Sequence, residues 1–187
     1  CHRRFGKTYA AINELVDRAL GFNQPDGRFG YVAPFRNQAK AIAWDYLKKF
    51  TAHLPGSQVN EGELFVQLGN GARIRIYGAD NADAMRGLYF DGIVLDEVAQ
   101  MKPEVWGEIV RQALADRKGW ALFIGTPKGM NLFHDLWQRG QGQDADWWSA
   151  VYRADETGII PQDELDAARR DMSEAQYRQE FLCDWAA

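Results

Sequence analysis

The stretch FDGIVLDEV, residues 90–98, constrains this chain more than any other. Its short apolar run, following Gly92, predicts a strand buried on both faces. Strands of that kind belong to parallel sheets covered by helices. The run ends in two acids, Asp96 and Glu97. In open α/β sheets the carboxyl ends of strands are where ligands sit. About 90 residues upstream, Gly6-Lys7-Thr8 opens a helical pattern.

The rest of the chain fits the same architecture. Lys7 to Leu20 carries apolar residues at helical spacing and stops at Gly21, and residues 36–50 return to that period. GYVAP (30–34) and WALFIGTP (120–127) read as further strands, the second breaking at Gly125. Residues 57–79 alternate polar and apolar around Glu61-Gly62 and Gly69-Asn70-Gly71, which predicts two or three strands with tight turns. Helices are expected over 103–116 and 132–139, a strand over 147–152, and two amphipathic helices from Pro161 onward. Short strands alternating with helices give a mainly parallel α/β sheet.

Composition narrows the function classes. No apolar run is long enough to span a bilayer. Cys1 and Cys183 stand at opposite ends, too few for a disulfide framework or a zinc site, which fits a reducing compartment. His2, His53 and His134 lack carboxylates at metal-ligand spacing and read as structural or surface residues. A net charge of −4 argues against a surface that clamps nucleic acid everywhere, but leaves room for a local basic track. Arg73 and Arg75, alternating with Ile74 and Ile76, form either such a row or a solvated strand face. The seven tryptophans are scattered, as core-filling residues are.

CHRRFGKT (1–8) follows the phosphate-loop pattern except that Cys1 stands where the first glycine is usual. Gly6 lets backbone approach a phosphate, Lys7 supplies charge and Thr8 offers a hydroxyl to Mg²⁺. Asp96 can hold the same ion and Glu97 can polarise a water for attack on a γ-phosphate. The alternative is that the two acids merely end a strand and cap the next helix. Thr126, in FIGTPKG (123–129), can contact the phosphate or its water; a plain turn before Pro127 is the other reading.

These segments, in this order, resemble the ATPase domain of the large terminase subunit, the DNA-packaging motor of tailed bacteriophages. HRRFGKT looks like its deviant Walker A, IVLDE like its Walker B with catalytic Glu, and GTP like its coupling motif. MRGLYFDGIVLDE (85–97) matches an Arg-Gly placed before Walker B, and YRQEFLCDW (177–185) resembles the segment leading into the nuclease domain. The resemblance implies a P-loop NTPase of the additional-strand catalytic-Glu type with a small β-hairpin insertion. It implies binding of ATP and Mg²⁺ through Arg3, Arg4, Phe5, Gly6, Lys7, Thr8 and Asp96, with Arg3 as a cis contact to the γ-phosphate. Arg4 faces either the phosphate or solvent. Glu97, Arg3, Arg86 and Thr126 become the catalytic set, with Arg86 as an arginine finger reaching a neighbouring subunit.

In the family a strand precedes the phosphate loop and a nuclease domain follows. The expectation is therefore a single ATPase domain over residues 1–187, a fragment whose first strand is missing and whose residues 155–187 lead toward an absent nuclease. Implied partners are double-stranded DNA, the small terminase subunit and the portal of the procapsid. A homo-oligomeric ring in the host cytoplasm is implied, and no membrane. Two other functions remain open: a helicase-like P-loop ATPase, and a truncated, nonhydrolysing nucleotide-binding or assembly module.

Overall fold

The computed structural model describes residues 1–187, and its elements follow the hydrophobic periods of the sequence. Helix α1 (Lys7–Leu20) buries Ala11, Ile12, Leu15, Val16 and Ala19, one continuous stripe. Strand β1 (Arg28–Ala33) and helix α2 (Arg36–Thr51) come next. The expected hairpin region forms β2 (Gln58–Asn60), β3 (Phe65–Gln67) and β4 (Arg73–Gly78). Gly71 turns the chain between the last two with φ +87°, a conformation that costs glycine least. Strand β5 (Gly92–Asp96) is buried at all five residues.

The helix expected over 103–116 forms in two pieces. A π-helical turn, Val105–Val110, runs into α3 (Arg111–Ala115). Together they bury Val105, Ile109, Val110, Ala113 and Leu114, so one apolar face is kept across the change of winding. Strand β6 (Trp120–Ile124) follows, and none of its five apolar residues is fully buried.

The chain divides into two compact bodies. One comprises residues 8–96 and 101–123 and holds the sheet, whose strand order is β2-β3-β4-β1-β5-β6. β1 runs parallel to both β4 and β5. β2 and β3 extend this parallel core as an antiparallel hairpin on β4. β1 therefore lies inside the sheet, beside β5 and its terminal Asp96. The fold class and the hairpin insertion are as expected from sequence.

The other body comprises residues 1–7, 97–100 and 124–187. It contains α4 (Leu132–Gln141), α5 (Ala154–Thr157), α6 (Gln162–Asp171) and α7 (Glu174–Leu182). Ala154, Ile160, Leu165, Tyr177 and Phe181 form a small core there. Asn131 caps α4 by accepting from Phe133 N, and Ser173 with Gln176 closes a capping box on α7.

The strand expected over 147–152 does not form. Its backbone is held by scattered bonds instead: Tyr152 O accepts from His2 N at 2.9 Å and Ser149 O accepts from Gln141 Nε2 at 2.8 Å. Trp148 is 77% exposed, so the apolar alternation reflects no buried strand face. Core-filling describes Trp44, 2% exposed, better than the other tryptophans, which are half-buried apart from Trp148.

Gly92 fixes the start of β5. A Cβ there would lie 2.3 Å from the Trp120 ring. Gly92→Ala is expected to lower stability by about 1–3 kcal/mol through overpacking, read from the urea midpoint. An unchanged midpoint would show that the ring moves aside freely.

Candidate functional site

Within the sheet body, Asp96 ends β5 and is only 3% exposed. A buried carboxylate is costly unless hydrogen bonds hold it. Here Thr8 Oγ1 donates to Asp96 Oδ2 at 2.7 Å, and the Tyr31 hydroxyl donates to the same oxygen at 2.5 Å. The second oxygen, Oδ1, is buried and has no partner. One carboxylate oxygen is thus doubly satisfied while the other is left open.

Thr8 reaches Asp96 because it sits in the first turn of α1, and Asp96 because β5 is buried along its whole length. Tyr31 comes from β1, the neighbour of β5. Sequence reasoning missed it. Its signal was a hydroxyl inside the otherwise apolar GYVAP strand.

In the other body the residues before α1 form a bonded loop. Lys7 Nζ donates to His2 O at 3.1 Å and to Thr126 Oγ1 at 3.3 Å, and Thr126 Oγ1 in turn donates to Cys1 O at 3.3 Å. Lys7 and Thr126, singled out separately in the sequence, are therefore in direct contact. Gly6 takes φ +86°, and a Cβ there would meet open space, so the conformation rather than crowding selects glycine. Phe5 stacks on Tyr152 with ring centroids 5.2 Å apart and meets His2 edge-on. Its ring thus anchors the loop.

Arg3 and Arg4 are both exposed. Arg3 N donates to Glu180 O at 2.8 Å, and its guanidinium lies 3.9 Å from the Glu180 carboxylate. Arg4 has φ +62°, a left-handed backbone that is uncommon outside glycine. Glu97 shares this feature with φ +55°. Gly125 passes close by: a Cβ on it would be 3.4 Å from Glu97 Cα. The two motifs that carry Glu97 and Thr126 are thus packed against each other within this body.

Arg86 belongs to the sheet body and is half exposed. It pairs with Asp83 at 2.6 Å and lies 3.9 Å from Glu108. His2 is fully buried, with Nδ1 2.6 Å from Arg3 O and Nε2 2.9 Å from Thr157 Oγ1. Burial pushes its pKa down, the Lys7 charge adds to that, and the contact to Arg3 O opposes it. It is a structural histidine, as the sequence suggested.

No cluster of three or more His, Cys, Asp or Glu side chains is placed to hold a metal.

The model of the terminase large subunit, T4likevirus-type, N-terminal, matches residues 3–187. The chain belongs to this terminase family. The terminase large subunit of Thermus virus P23-45 is 30% identical over 157 residues, covering 74% of this chain and 32% of that protein. That of Escherichia phage T5 is 27% identical over 194 residues, covering 98% of this chain and 42% of that protein. The chain thus spans well under half the length of these relatives. The large terminase ATPase domain of Thermus phage P74-26 superimposes with a TM-score of 0.82 at 24% identity, covering 99% of this chain and 86% of that one. The large terminase of another thermophilic bacteriophage, solved in complex with ADP, gives 0.71 at 17% identity, covering 99% and 46%. These likenesses establish the fold as that of large terminase ATPase domains.

The burial of His2 yields a prediction for stability. Its folded-state pKa lies below the ordinary value of 6.5, so the stability it contributes is complete above that pH and is lost as pH falls below it. The urea midpoint is expected to drop as pH falls below 6.5, above the range where most carboxylates titrate. His2→Gln should flatten that part of the profile. The same slope in the variant would assign it to another group.

Proposed function

We propose that this chain is the ATP-hydrolysing part of a motor that drives double-stranded viral DNA into a procapsid. The observation that carries the reading is buried Asp96, bonded to Thr8 and open at Oδ1, in a chain of the terminase family. The thermophilic-bacteriophage large terminase solved with ADP, and also with ATP-gamma-S, supports nucleotide as the ligand. Residues 1–187 are read as one ATPase domain, whose residues 155–187 lead toward a nuclease domain in the longer relatives.

The residues divide the work by chemistry. Backbone N–H groups around Gly6 and the start of α1 hold phosphate oxygens, together with those of Arg4 and Phe5. Lys7 exchanges His2 O and Thr126 Oγ1 for phosphate oxygens and neutralises their charge. Thr8 and Asp96 fit Mg²⁺: a hydroxyl and a hard carboxylate oxygen with an unused neighbour suit such an ion. When bound, the ion offsets negative charge on the phosphates. Glu97 orients the attacking water and accepts its proton while the bond from the γ-phosphorus to the bridging oxygen breaks. Arg3 and Arg86 offset charge on the transferring group, Arg86 from a neighbouring subunit after leaving Asp83. Thr126, hydrogen-bonded to Lys7, transmits the change in phosphate occupancy.

A finger acting in trans requires a head-to-tail ring of identical subunits. The small terminase subunit and the portal of the procapsid are the further partners of this reading, and the host cytoplasm is its compartment. No helix is long and apolar enough to cross a membrane.

Glu97→Gln is expected to bind ATP normally and to lose at least about 100-fold in phosphate release. Wild-type turnover would remove Glu97 from the base role. Arg86→Ala should lose about 1000-fold, but only in the part of the activity that rises with assembly. An assembled Arg86→Ala ring that hydrolyses normally would exclude the finger.

A further inference from the structure

One face of the sheet carries a row of polar and basic side chains. Cross-strand register places Gln58, Gln67, Arg73 and Arg28 in one row across β2, β3, β4 and β1. Residues directly opposite on neighbouring strands share a face. Arg75, two residues along β4, lies on the same face, beside Phe65. The intervening Ile74 and Ile76 point the other way and are completely buried or nearly so. Arg28, Arg73 and Arg75 are each half-buried, which a plain solvated strand face does not explain.

The three guanidinium groups are held but not neutralised. Arg73 lies 4.1 Å above the Phe65 ring and gives Nη2 to Gln67 Oε1 at 2.9 Å. Arg75 lies 5.2 Å above the Tyr77 ring. Arg28 gives Nη1 to Gly27 O at 2.9 Å. None of these acceptors is a carboxylate. Asp91 accepts from the Arg28 backbone N–H and pairs its other oxygen with Arg117. The Nε atoms of Arg73 and Arg75 have no partner. Burial pushes the Tyr77 hydroxyl up, and the charges of Arg75, Arg28 and Arg73 partly offset that rise, so all three bear on one point.

Three partly desolvated cations without a counter-charge cost stability in a chain whose net charge is −4. An external anion offsets that cost. We propose that this face is where the chain grips the phosphate backbone of duplex DNA. The inference rests on the DNA-translocation reading and assigns it a surface. The rings on the face argue for phosphates rather than bases. Arg73 occupies the Phe65 ring, while Tyr77 is only 8% exposed and is met edge-on by Phe90. Neither ring is left open to stack a base, as single-strand platforms require. Gln58 and Gln67 supply neutral donors of the kind that contact phosphate oxygens. Arg73 and Arg75 are about 7 Å apart along the strand, a span of about two phosphates on one DNA strand.

The test is binding of two unrelated 30-base-pair duplexes by this chain, over a salt series, alongside phosphate release from ATP without DNA. The double variant R73Q/R75Q should weaken binding to both duplexes equally, by roughly tenfold at about 0.1 M salt, and reduce the slope of log K against log salt by about 2. R73K/R75K should keep most of the slope. K40Q/K49Q, which removes the same charge from exposed positions on α2, should bind as wild type does. Basal ATP hydrolysis of R73Q/R75Q should stay near wild type and its urea midpoint should stay level or rise, showing that the loss is not unfolding.

Wild-type affinity and slope in R73Q/R75Q, or an equal loss in K40Q/K49Q, would overturn the surface. So would a wild-type chain that captures poly-glutamate through these arginines in preference to duplex. The two readings fail separately. A chain that hydrolyses ATP but shows no arginine-dependent DNA binding loses the surface alone. One that grips DNA through these arginines without hydrolysing ATP loses the ATPase reading alone.

Discussion

The hydrogen bond from Thr8 to Asp96 is the interaction on which the proposed chemistry depends. It ties the first turn of α1 to the end of β5 across 88 residues of sequence. Both partners are fixed by ordinary folding forces: an amphipathic stripe seats α1 and complete burial seats β5. A carboxylate at that depth needs donors, and Thr8 and Tyr31 both serve one oxygen. The fold therefore spends stability to keep the other oxygen unpartnered, and hard cations bind to such oxygens. Tyr31 orients the carboxylate from β1, so the central strand contributes to the site and not merely to the core.

The loop before α1 has a complementary logic. Its lysine is bound to weak, neutral acceptors, a carbonyl and a hydroxyl, which an anionic phosphate can displace. One of those acceptors is Thr126, so a single bond joins the lysine to the GTP segment. Glu97 and Arg4 adopt left-handed backbone, where non-glycine residues store strain. A Cβ on Gly125 would sit in ordinary contact with Glu97 Cα at 3.4 Å and more tightly, at 3.2 Å, against the Phe133 ring.

Much of this was legible in the sequence because it follows from periodicity. The 3.6-residue stripe of 7–20 and the unbroken apolar run of β5 each admit one element, and α1 has the expected bounds. The alternation over 57–79 gave the hairpin because glycine turns fix its register. The strand expected over 147–152 failed because alternation there has no partner strand and leaves Trp148 in solvent. The π-helical turn at 105–110 was invisible, since both windings bury the same face. In the site, Thr8 and Asp96 were expected side by side from motif order, and they are hydrogen-bonded. The Lys7–Thr126 contact was not foreseen, because Thr126 read as a residue facing the phosphate or its water. Nor was Tyr31, because a tyrosine in an apolar strand reads as core until its hydroxyl is seen on a carboxylate. Phe5 likewise reads as a loop residue until its ring is found stacked on Tyr152.

The most direct measurement is the affinity of this chain for a fluorescent ATP analogue with and without Mg²⁺, compared with Asp96→Asn. The expected result is tighter binding with Mg²⁺ in the wild type and loss of that increment in the variant, with metal-free affinity little changed. An Asp96→Asn chain that keeps the full Mg²⁺ effect would contradict the assignment of the open carboxylate oxygen to the cation.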